Sequence, residues 1–461
     1  MRSDTIAAIA TAMGNSGINI IRISGPSAIS IAEKIFVSKK NKKISELKSH
    51  SMVFGTIMDG DTPVDEVLLS VMRAPNTYTT EDIVEINAHG GNLVTREILE
   101  LILKNGAVIA NPGEFTQRAF LGGRIDLSQA EAVIDLINAK NKYATKSAVS
   151  HLKGNISDKI KELRELILDN TAFIETVIDD PEHMSFDGYD EKLNGDLDVL
   201  EKDLKKLIDS YDNGKIINEG VDTVIIGKPN AGKSSFLNAL LGEERAIVTD
   251  IEGTTRDTLV EHLSLDGITL KVTDTAGIRE TSDIIEKMGI DKAKEAAKNA
   301  DLILYLVDST KKLDDNDKLI LNMLKEFENK VIVLINKIDV SNPEDVRDEL
   351  KSLECNYPLV NISAIGGIGI DEFSKKVHNM FFNGEINFND EIYISNERQK
   401  NCLQNALNSL YLVRQSISLN MPEDMYTVDL IDAYTELGNV IGESLEDDLA
   451  DRIFSKFCVG K

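Results

Sequence analysis

Polar and apolar positions change their rhythm along this chain, and the changes mark out elements. Residues 1 to about 118 alternate short strand-like runs with helices. Thr5–Ala10, Asn19–Ser24, Val53–Ile57, Glu66–Met72 and Asp82–Asn87 read as strands, several of them bounded by Gly, Pro or Asn. Asn92 to Lys104 reads as a helix with Leu93, Ile98, Leu101 and Ile102 on one face. From about residue 126 long stretches carry helical periodicity without proline. Ile160, Leu163, Ile167, Ile174 and Val177 form one stripe, and Leu193, Leu197, Leu200, Leu204 and Leu207 form another. Spacings of three and four put each stripe on one helix face, suited to a bundle core or a partner helix, the bundle being the simpler reading.

At Val221 the pattern returns to alternating strand and helix, until about Met380. Val224–Ile226, Leu270–Thr273, Ile303–Val307 and Val331–Ile335 are short apolar runs suited to buried parallel strands, and Leu359–Ile362 reads as a further strand. After Asn383-Gly384 helices resume over Glu397–Ser418, Tyr426–Gly442 and Ser444–Phe457. The expected architecture is multidomain. An α+β N-terminal domain (1–118) precedes an α-helical domain in two parts (119–216 and 384–461), interrupted by an inserted Ras-like α/β P-loop domain (217–383).

Composition narrows the function classes. At 461 residues, with 42% hydrophobic and 28% charged residues, the chain can bury several cores. Its 51 basic against 77 acidic residues give a net charge of -26, which repels phosphate backbones at long range and excludes a generic nucleic-acid binder. Any RNA contact must be local, shared with a basic partner or helped by a cation. Cys355, Cys402 and Cys458 are widely separated and lack metal spacing, which points to a reduced, cytoplasmic setting. No apolar run approaches membrane-spanning length, so no membrane association is expected. Ile6–Met13 follows Asp4 and precedes another strand-like run, which favours a buried strand over a signal peptide.

The chemistry concentrates in the inserted domain. Gly227-Lys228-Pro229-Asn230-Ala231-Gly232-Lys233-Ser234 fits G-x-x-x-x-G-K-[ST], follows a strand and opens a helix. Backbone N–H groups of such a loop curl around phosphate oxygens, Lys233 reaches the terminal phosphates and Ser234 ligates magnesium. Asp274-Thr275-Ala276-Gly277 ends a later apolar run, where a carboxylate can hold magnesium through water and Gly277 can approach the γ-phosphate. Asp308 also ends a strand but lacks the glycine, and reads as structural. Asn336-Lys337-Ile338-Asp339 ends a further strand, and the Asp339 carboxylate can accept from guanine's ring N–H and exocyclic amine, an arrangement adenine lacks. Ser363-Ala364 would place a backbone N–H on the guanine carbonyl.

The expected GTP-binding set is then Asn230, Ala231, Gly232, Lys233, Ser234 and Ser235, followed by Thr249, Asp250, Ile251, Glu252, Gly253, Thr254 and Thr255. Asp274, Thr275, Ala276 and Gly277, then Asn336, Lys337, Ile338 and Asp339, then Ser363, Ala364 and Ile365 complete it. Thr255 is expected to join Ser234 on magnesium when the γ-phosphate is present. Ile278 stands where Ras-type enzymes carry a water-orienting glutamine, so another group must do that work. Arg279, Glu280 and Glu286 follow, and by themselves each reads more readily as a solvated surface charge.

Outside this domain lie Asp4-Thr5-Ile6-Ala7-Ala8, Ile21-Arg22-Ile23-Ser24-Gly25, Tyr78-Thr79-Thr80-Glu81-Asp82-Ile83-Val84-Glu85-Ile86, His89-Gly90-Gly91, Pro112-Gly113-Glu114-Phe115-Thr116 and Arg118-Ala119-Phe120-Leu121. With the terminal Cys458-Val459-Gly460-Lys461, these make the chain resemble the MnmE (TrmE) family of bacterial tRNA-modification GTPases over nearly its whole length. The resemblance implies a homodimer acting with a flavoprotein partner of the MnmG (GidA) type. Together they would add an aminomethyl or carboxymethylaminomethyl group to carbon-5 of the tRNA wobble uridine. It implies a folate donor, 5-formyltetrahydrofolate or a related tetrahydrofolate, held at Arg22, Glu85, Arg124 and Lys461. It also implies a potassium ion in place of an arginine finger, at Asn230, Thr249, Ile251 and Thr254, with Glu286 as the water-orienting acid. One departure stands out: Met13-Gly14-Asn15-Ser16-Gly17 occupies a loop where the family usually has Pro-Gly-Arg-Gly-Gly. A ribosome-assembly GTPase would carry a basic RNA-binding appendage, which this acidic chain lacks. A folate-dependent methyltransferase acting alone would need a nucleophile, for which Cys458 is the sole candidate.

Overall fold

Two sheets organise the chain, each built where apolar runs supply buried strands. The computed structural model describes residues 4–40, 42–242, 260–265, 267–273, 294–382, 393–443, 453–455, 457–458 and 460. By internal contact the chain divides into two units. The first comprises Met1–Ile134, His151–Asp196 and Asn408–Lys461, and the second Asp135–Ser150 and Leu197–Leu407.

In the first unit the strands are β1 (Ile6–Ile9), β2 (Ile18–Ser24), β3 (Phe36–Ser38), β4 (Ser51–Asp59), β5 (Thr62–Met72), β6 (Ile83–His89) and β7 (Val108–Ile109). They form one sheet in the order β3-β4-β5-β6-β2-β1-β7, antiparallel except for the β1–β7 pair. Helices Ala28–Ile35 and Asn92–Lys104 cover it, with Ile31, Ile35, Ile98 and Ile102 packed against Ile21, Ile23, Leu69 and Ile86. The helix at Asn92–Lys104 matches the sequence expectation in extent, but Leu93 is not on its buried face: it is 79% exposed. Thr95 is buried instead, accepting from Asn19 Nδ2 (3.0 Å) and donating to the Gly91 carbonyl (2.9 Å), so both hydroxyl functions are met.

The long helix Asn155–Asp179 buries Ile160, Leu163, Ile167, Ile174 and Val177 as its periodicity demands, and helix Asp424–Ile441 buries Leu430, Leu437 and Ile441. Helix Tyr189–Asp209 buries the whole leucine stripe from Leu193 to Leu207, and helix Glu397–Ser418 has the expected bounds. The helix expected over Ser444–Phe457 lies largely outside the described residues. Among the described residues no helix is long and apolar enough to cross a membrane.

In the second unit the strands are β8 (Val221–Gly227), β9 (Val260–Leu265), β10 (Ile268–Thr273), β11 (Leu302–Asp308), β12 (Val331–Asn336) and β13 (Leu359–Asn361). Their order is β13-β12-β11-β8-β10-β9, parallel throughout except for the antiparallel edge strand β9. Alternate residues point to opposite faces. Ile225, Leu304, Leu306 and Leu334 pack with Phe236 and Phe373 on one side, while Val224, Ile226, Val307 and Ile335 pack with Leu321, Leu324 and Leu350 on the other. Burial on both faces explains why these strands read as continuous apolar runs. The doubly covered sheet leaves the carboxyl ends of β8, β11, β12 and β13 as the place where loops can meet a ligand.

Candidate functional site

β8 ends at Gly227, and the loop that follows turns into the helix Lys233–Gly242. The turn requires backbone that L side chains resist. Gly232 has φ +101°, and a Cβ there would lie 2.1 Å from Asn336 Nδ2. Asn230 itself adopts φ 64°, tolerable for asparagine. Lys233 folds over the loop and donates to the carbonyls of Gly227 and Lys228 (3.1 Å for the latter). Burial pushes its ammonium below the ordinary lysine value. Ser234 is exposed on the first helical turn.

β12 ends at Asn336, which is 2% exposed and braces two loops. Its Nδ2 donates to the Ala231 carbonyl (2.9 Å), and its Oδ1 accepts from the Ala364 N–H (3.0 Å). Both side-chain functions are therefore satisfied within the protein, and the phosphate loop is tied to the Ser363-Ala364 turn. Lys337 takes φ 68° and donates through Nζ to Asp308 Oδ2 at 2.6 Å. Burial works against ionisation of Asp308, yet the bonds from Lys337 and Thr310 hold its carboxyl below the usual carboxylate range. Asp308 thus fixes the Lys337 turn. Asp339 is exposed, and its Oδ1 accepts from Ser363 Oγ at 2.6 Å. Ser363 is fully buried and its Oγ accepts in turn from the Gly366 N–H (3.1 Å), so the carboxylate has a fixed bearing. Ile365 stands beyond, 87% exposed.

The described residues of the expected nucleotide set therefore gather at the carboxyl end of one sheet: Asn230 to Ser235, Asn336 to Asp339, and Ser363 to Ile365. Thr249, Asp250, Ile251, Glu252, Gly253, Thr254 and Thr255, together with Asp274 to Gly277 and Glu286, lie outside the described residues. What the motif pattern did not convey is the brace itself. The partners of Asn336 lie far away in sequence, and only the fold brings them together.

The first unit carries a second polar cluster. Arg22 on β2 faces Glu85 on β6 in register, with Nε to Oε1 at 2.8 Å. The Arg22 guanidinium lies 5.7 Å from the Tyr78 ring centre and 5.5 Å from that of Phe115. Arg124 stands 4.8 Å from the same Tyr78 ring and donates to the Tyr78 carbonyl at 3.3 Å. Tyr78 and Arg124 also line a cavity of about 390 Å³ with His50, Met72, Pro75, Asn76 and Thr77. Of the four residues expected at the folate site, Arg22 and Arg124 thus meet at Tyr78, a residue the sequence reading did not assign, and Glu85 joins them through Arg22, whereas Lys461 lies outside the described residues. Cys458 is exposed, and its carbonyl accepts from the Gly113 N–H at 3.3 Å.

Residues 5–124 match the family model described as the GTP-binding protein TrmE N-terminus, and residues 127–458 match that of the MnmE helical domain. The tRNA modification GTPase MnmE of Lachnoclostridium phytofermentans is 51% identical over 462 residues, covering 100% of both chains. That of Acetivibrio thermocellus is 46% identical, again over 100% of both. Among solved structures, a variant of Aquifex aeolicus Era bound to GDP.AlF4- is 30% identical over 42% of this chain and 67% of its own, with a TM-score of 0.29. The chain belongs to the MnmE (TrmE) family of tRNA modification GTPases.

Proposed function

We propose that this GTPase works with a flavoprotein of the MnmG (GidA) type to add an aminomethyl or carboxymethylaminomethyl group to carbon-5 of the tRNA wobble uridine. Hydrolysis of GTP rearranges the complex and does not itself supply the one-carbon chemistry. The observation that carries the nucleotide reading is the Asn336 brace, which joins the phosphate loop to the Ser363-Ala364 turn and so makes one pocket from two ends.

In this reading Asp339, steadied by Ser363, accepts from the guanine edge, and the Ala364 N–H, which bonds Asn336 Oδ1 in this structure, would turn to the guanine carbonyl. Lys233 exchanges the Gly227 and Lys228 carbonyls for phosphate oxygens, a change that favours the charged form its burial disfavours. The residues present suit a magnesium-bound triphosphate: Lys233 and the exposed Ser234 open the helix that follows a loop too tight for a Cβ at Gly232. Ser234 and Thr255 would hold the magnesium, and Asp274 would hold it through water. Asn230, Thr249, Ile251 and Thr254 would hold potassium. These cations supply electrostatic stabilisation of charge developing on the phosphates. Glu286 orients the attacking water.

In the first unit, a carboxylate paired with Arg22 and an aromatic ring flanked by two guanidiniums suit a flat heterocycle with an anionic tail, as a tetrahydrofolate has. Arg22, Glu85, Arg124 and Lys461 would hold that donor. Two copies of the chain, the flavoprotein and tRNA form the working assembly, placed in the cytoplasm.

Cells lacking the protein should lose modified wobble uridines, read by mass spectrometry of tRNA nucleosides, and the wild-type chain should restore them. Glu286→Ala should not restore them. In vitro this variant should keep its GTP affinity while turnover falls by about a hundredfold or more. Replacing potassium by sodium should slow the wild type in the same assay. Normal uridines in the deleted strain would reject the pathway, and wild-type turnover by Glu286→Ala would remove that residue from the mechanism.

A further inference from the structure

The second position of the phosphate loop holds Lys228, a place the motif leaves open to any residue. Its Nζ donates to Asp314 Oδ2 at 2.8 Å and to Asp317 Oδ2 at 2.6 Å. These two aspartates open the helix Asp315–Leu324 as a capping box. Asp314 Oδ1 accepts from the N–H groups of Asn316 and Asp317 (3.0 and 3.2 Å), while Asp317 Oδ2 accepts from the Asp314 N–H (2.9 Å). Asp317 is only 1% exposed, and its Oδ1 accepts from the Tyr305 hydroxyl at 2.7 Å. Tyr305 is fully buried in β11, paired in register with Ile226 on β8, one residue before the loop begins. Every carboxylate oxygen of the pair is thus engaged, and Lys228 is gripped by groups that cannot easily turn away.

The backbone of Lys228 does a second job. Its carbonyl accepts from Lys233 Nζ (3.1 Å) and from the Ala231 N–H (3.2 Å), so it closes the curl of the loop from inside. We infer that Lys228 is a positioning residue for GTP turnover, holding the phosphate loop to the Asp314–Asp317 cap so that Lys233 and the loop N–H groups are set for the phosphates. Burial alone would favour the neutral amine, but the bonds it donates to Asp314 and Asp317 hold Lys228 charged, with its basicity above the ordinary lysine value. The anchor is therefore a fixed cation between two acids, and is not a free phosphate ligand. The inference rests on the reading of this loop as the GTP site.

The test compares Lys228→Met, Lys228→Arg, Asp314→Ala, Asp317→Asn and the double variant Lys228→Met/Asp317→Asn in the full chain. Each is measured for GTP affinity, KM, kcat and thermal midpoint. Lys228→Met should weaken GTP binding and raise KM on the order of tenfold, since it removes a charge-assisted anchor. Lys228→Arg should restore affinity to within about threefold, because the cation is kept. The double variant should be no worse than the poorer single one, as expected for partners in one network. Asp314→Ala, at a half-exposed position, should reproduce part of the Lys228→Met loss even where Asp317→Asn fails to fold.

A lowered thermal midpoint with unchanged affinity, KM and kcat in Lys228→Met would reduce the residue to a structural ion pair and overturn the inference. So would full affinity in Asp314→Ala and Asp317→Asn beside a loss in Lys228→Met, the pattern of a lysine that touches phosphate directly. Failure of the wild-type chain to bind GTP would overturn the site reading along with the anchor, and is recognised before any substitution is made.

Discussion

Asp339→Asn should lose its preference for GTP and gain one for xanthosine triphosphate. In the proposed site the carboxylate would accept from two donors on the guanine edge, whereas an amide offers one acceptor and one donor, and the donor would meet guanine's own amine. Xanthine carries a carbonyl where guanine carries that amine, so the asparagine N–H₂ finds an acceptor. A polar group covered by the bound base and left unmatched costs about 1–3 kcal/mol, which places the loss of GTP affinity at roughly tens to hundreds of fold. Ser363 Oγ donates to Asp339 Oδ1 and can donate equally to an asparagine carbonyl, so the thermal midpoint should change little. Competition against a fluorescent guanine nucleotide reads the switch, and an unchanged ranking of the two triphosphates would remove Asp339 from base recognition.

Gly232→Ala should abolish nucleotide binding by a different route. At φ +101° an L residue is strained, by roughly 1–2 kcal/mol. The added Cβ would also land 2.1 Å from Asn336 Nδ2, so Asn336 must abandon the Ala231 carbonyl or the loop must open. Loss of that bond and of the neighbouring Ala364 N–H bond adds about 1 kcal/mol each. Phosphate loop and base turn then move apart together, and affinity should fall by more than about a hundredfold. Gly60→Ala is the comparison: at φ +59° with open space around it, it carries the strain without the collision, and GTP affinity should stay at the wild-type level. Titration of both variants with GTP gives the contrast, and equal affinity in the two would show that the brace does not matter.

The strands legible in the sequence are those whose burial is simple. β8, β11 and β12 are covered on both faces and read as unbroken apolar runs. β9 escapes such a reading, because an edge strand with the sequence Val-Glu-His-Leu-Ser-Leu buries Leu263 and Leu265 with the polar Ser264 between them. β3 and β7, with three and two residues, are too short to show any period. Leu93 misleads because periodicity assumes that apolar residues take the inner face, whereas at that helix start Thr95 goes inside with its hydroxyl fully bonded.

At the site the motif letters are legible and the couplings are not. A pattern written G-x-x-x-x-G-K-[ST] marks Lys228 as free to vary, yet its ammonium is held by two carboxylates more than eighty residues on. Asn336 likewise reads as one letter of a base-recognition motif, whereas its side chain bonds two protein loops. Side-chain partners that distant leave no local periodicity to read, and only the strand order β12-β11-β8 makes them neighbours.

The most direct measurement is calorimetric titration of the purified chain with GTP and with ATP in magnesium- and potassium-containing buffer. One GTP should bind per chain, with ATP weaker by at least about a hundredfold. Absence of heat with GTP, or equal uptake of ATP, would contradict a pocket that grips the triphosphate at Lys233 and the base at Asp339.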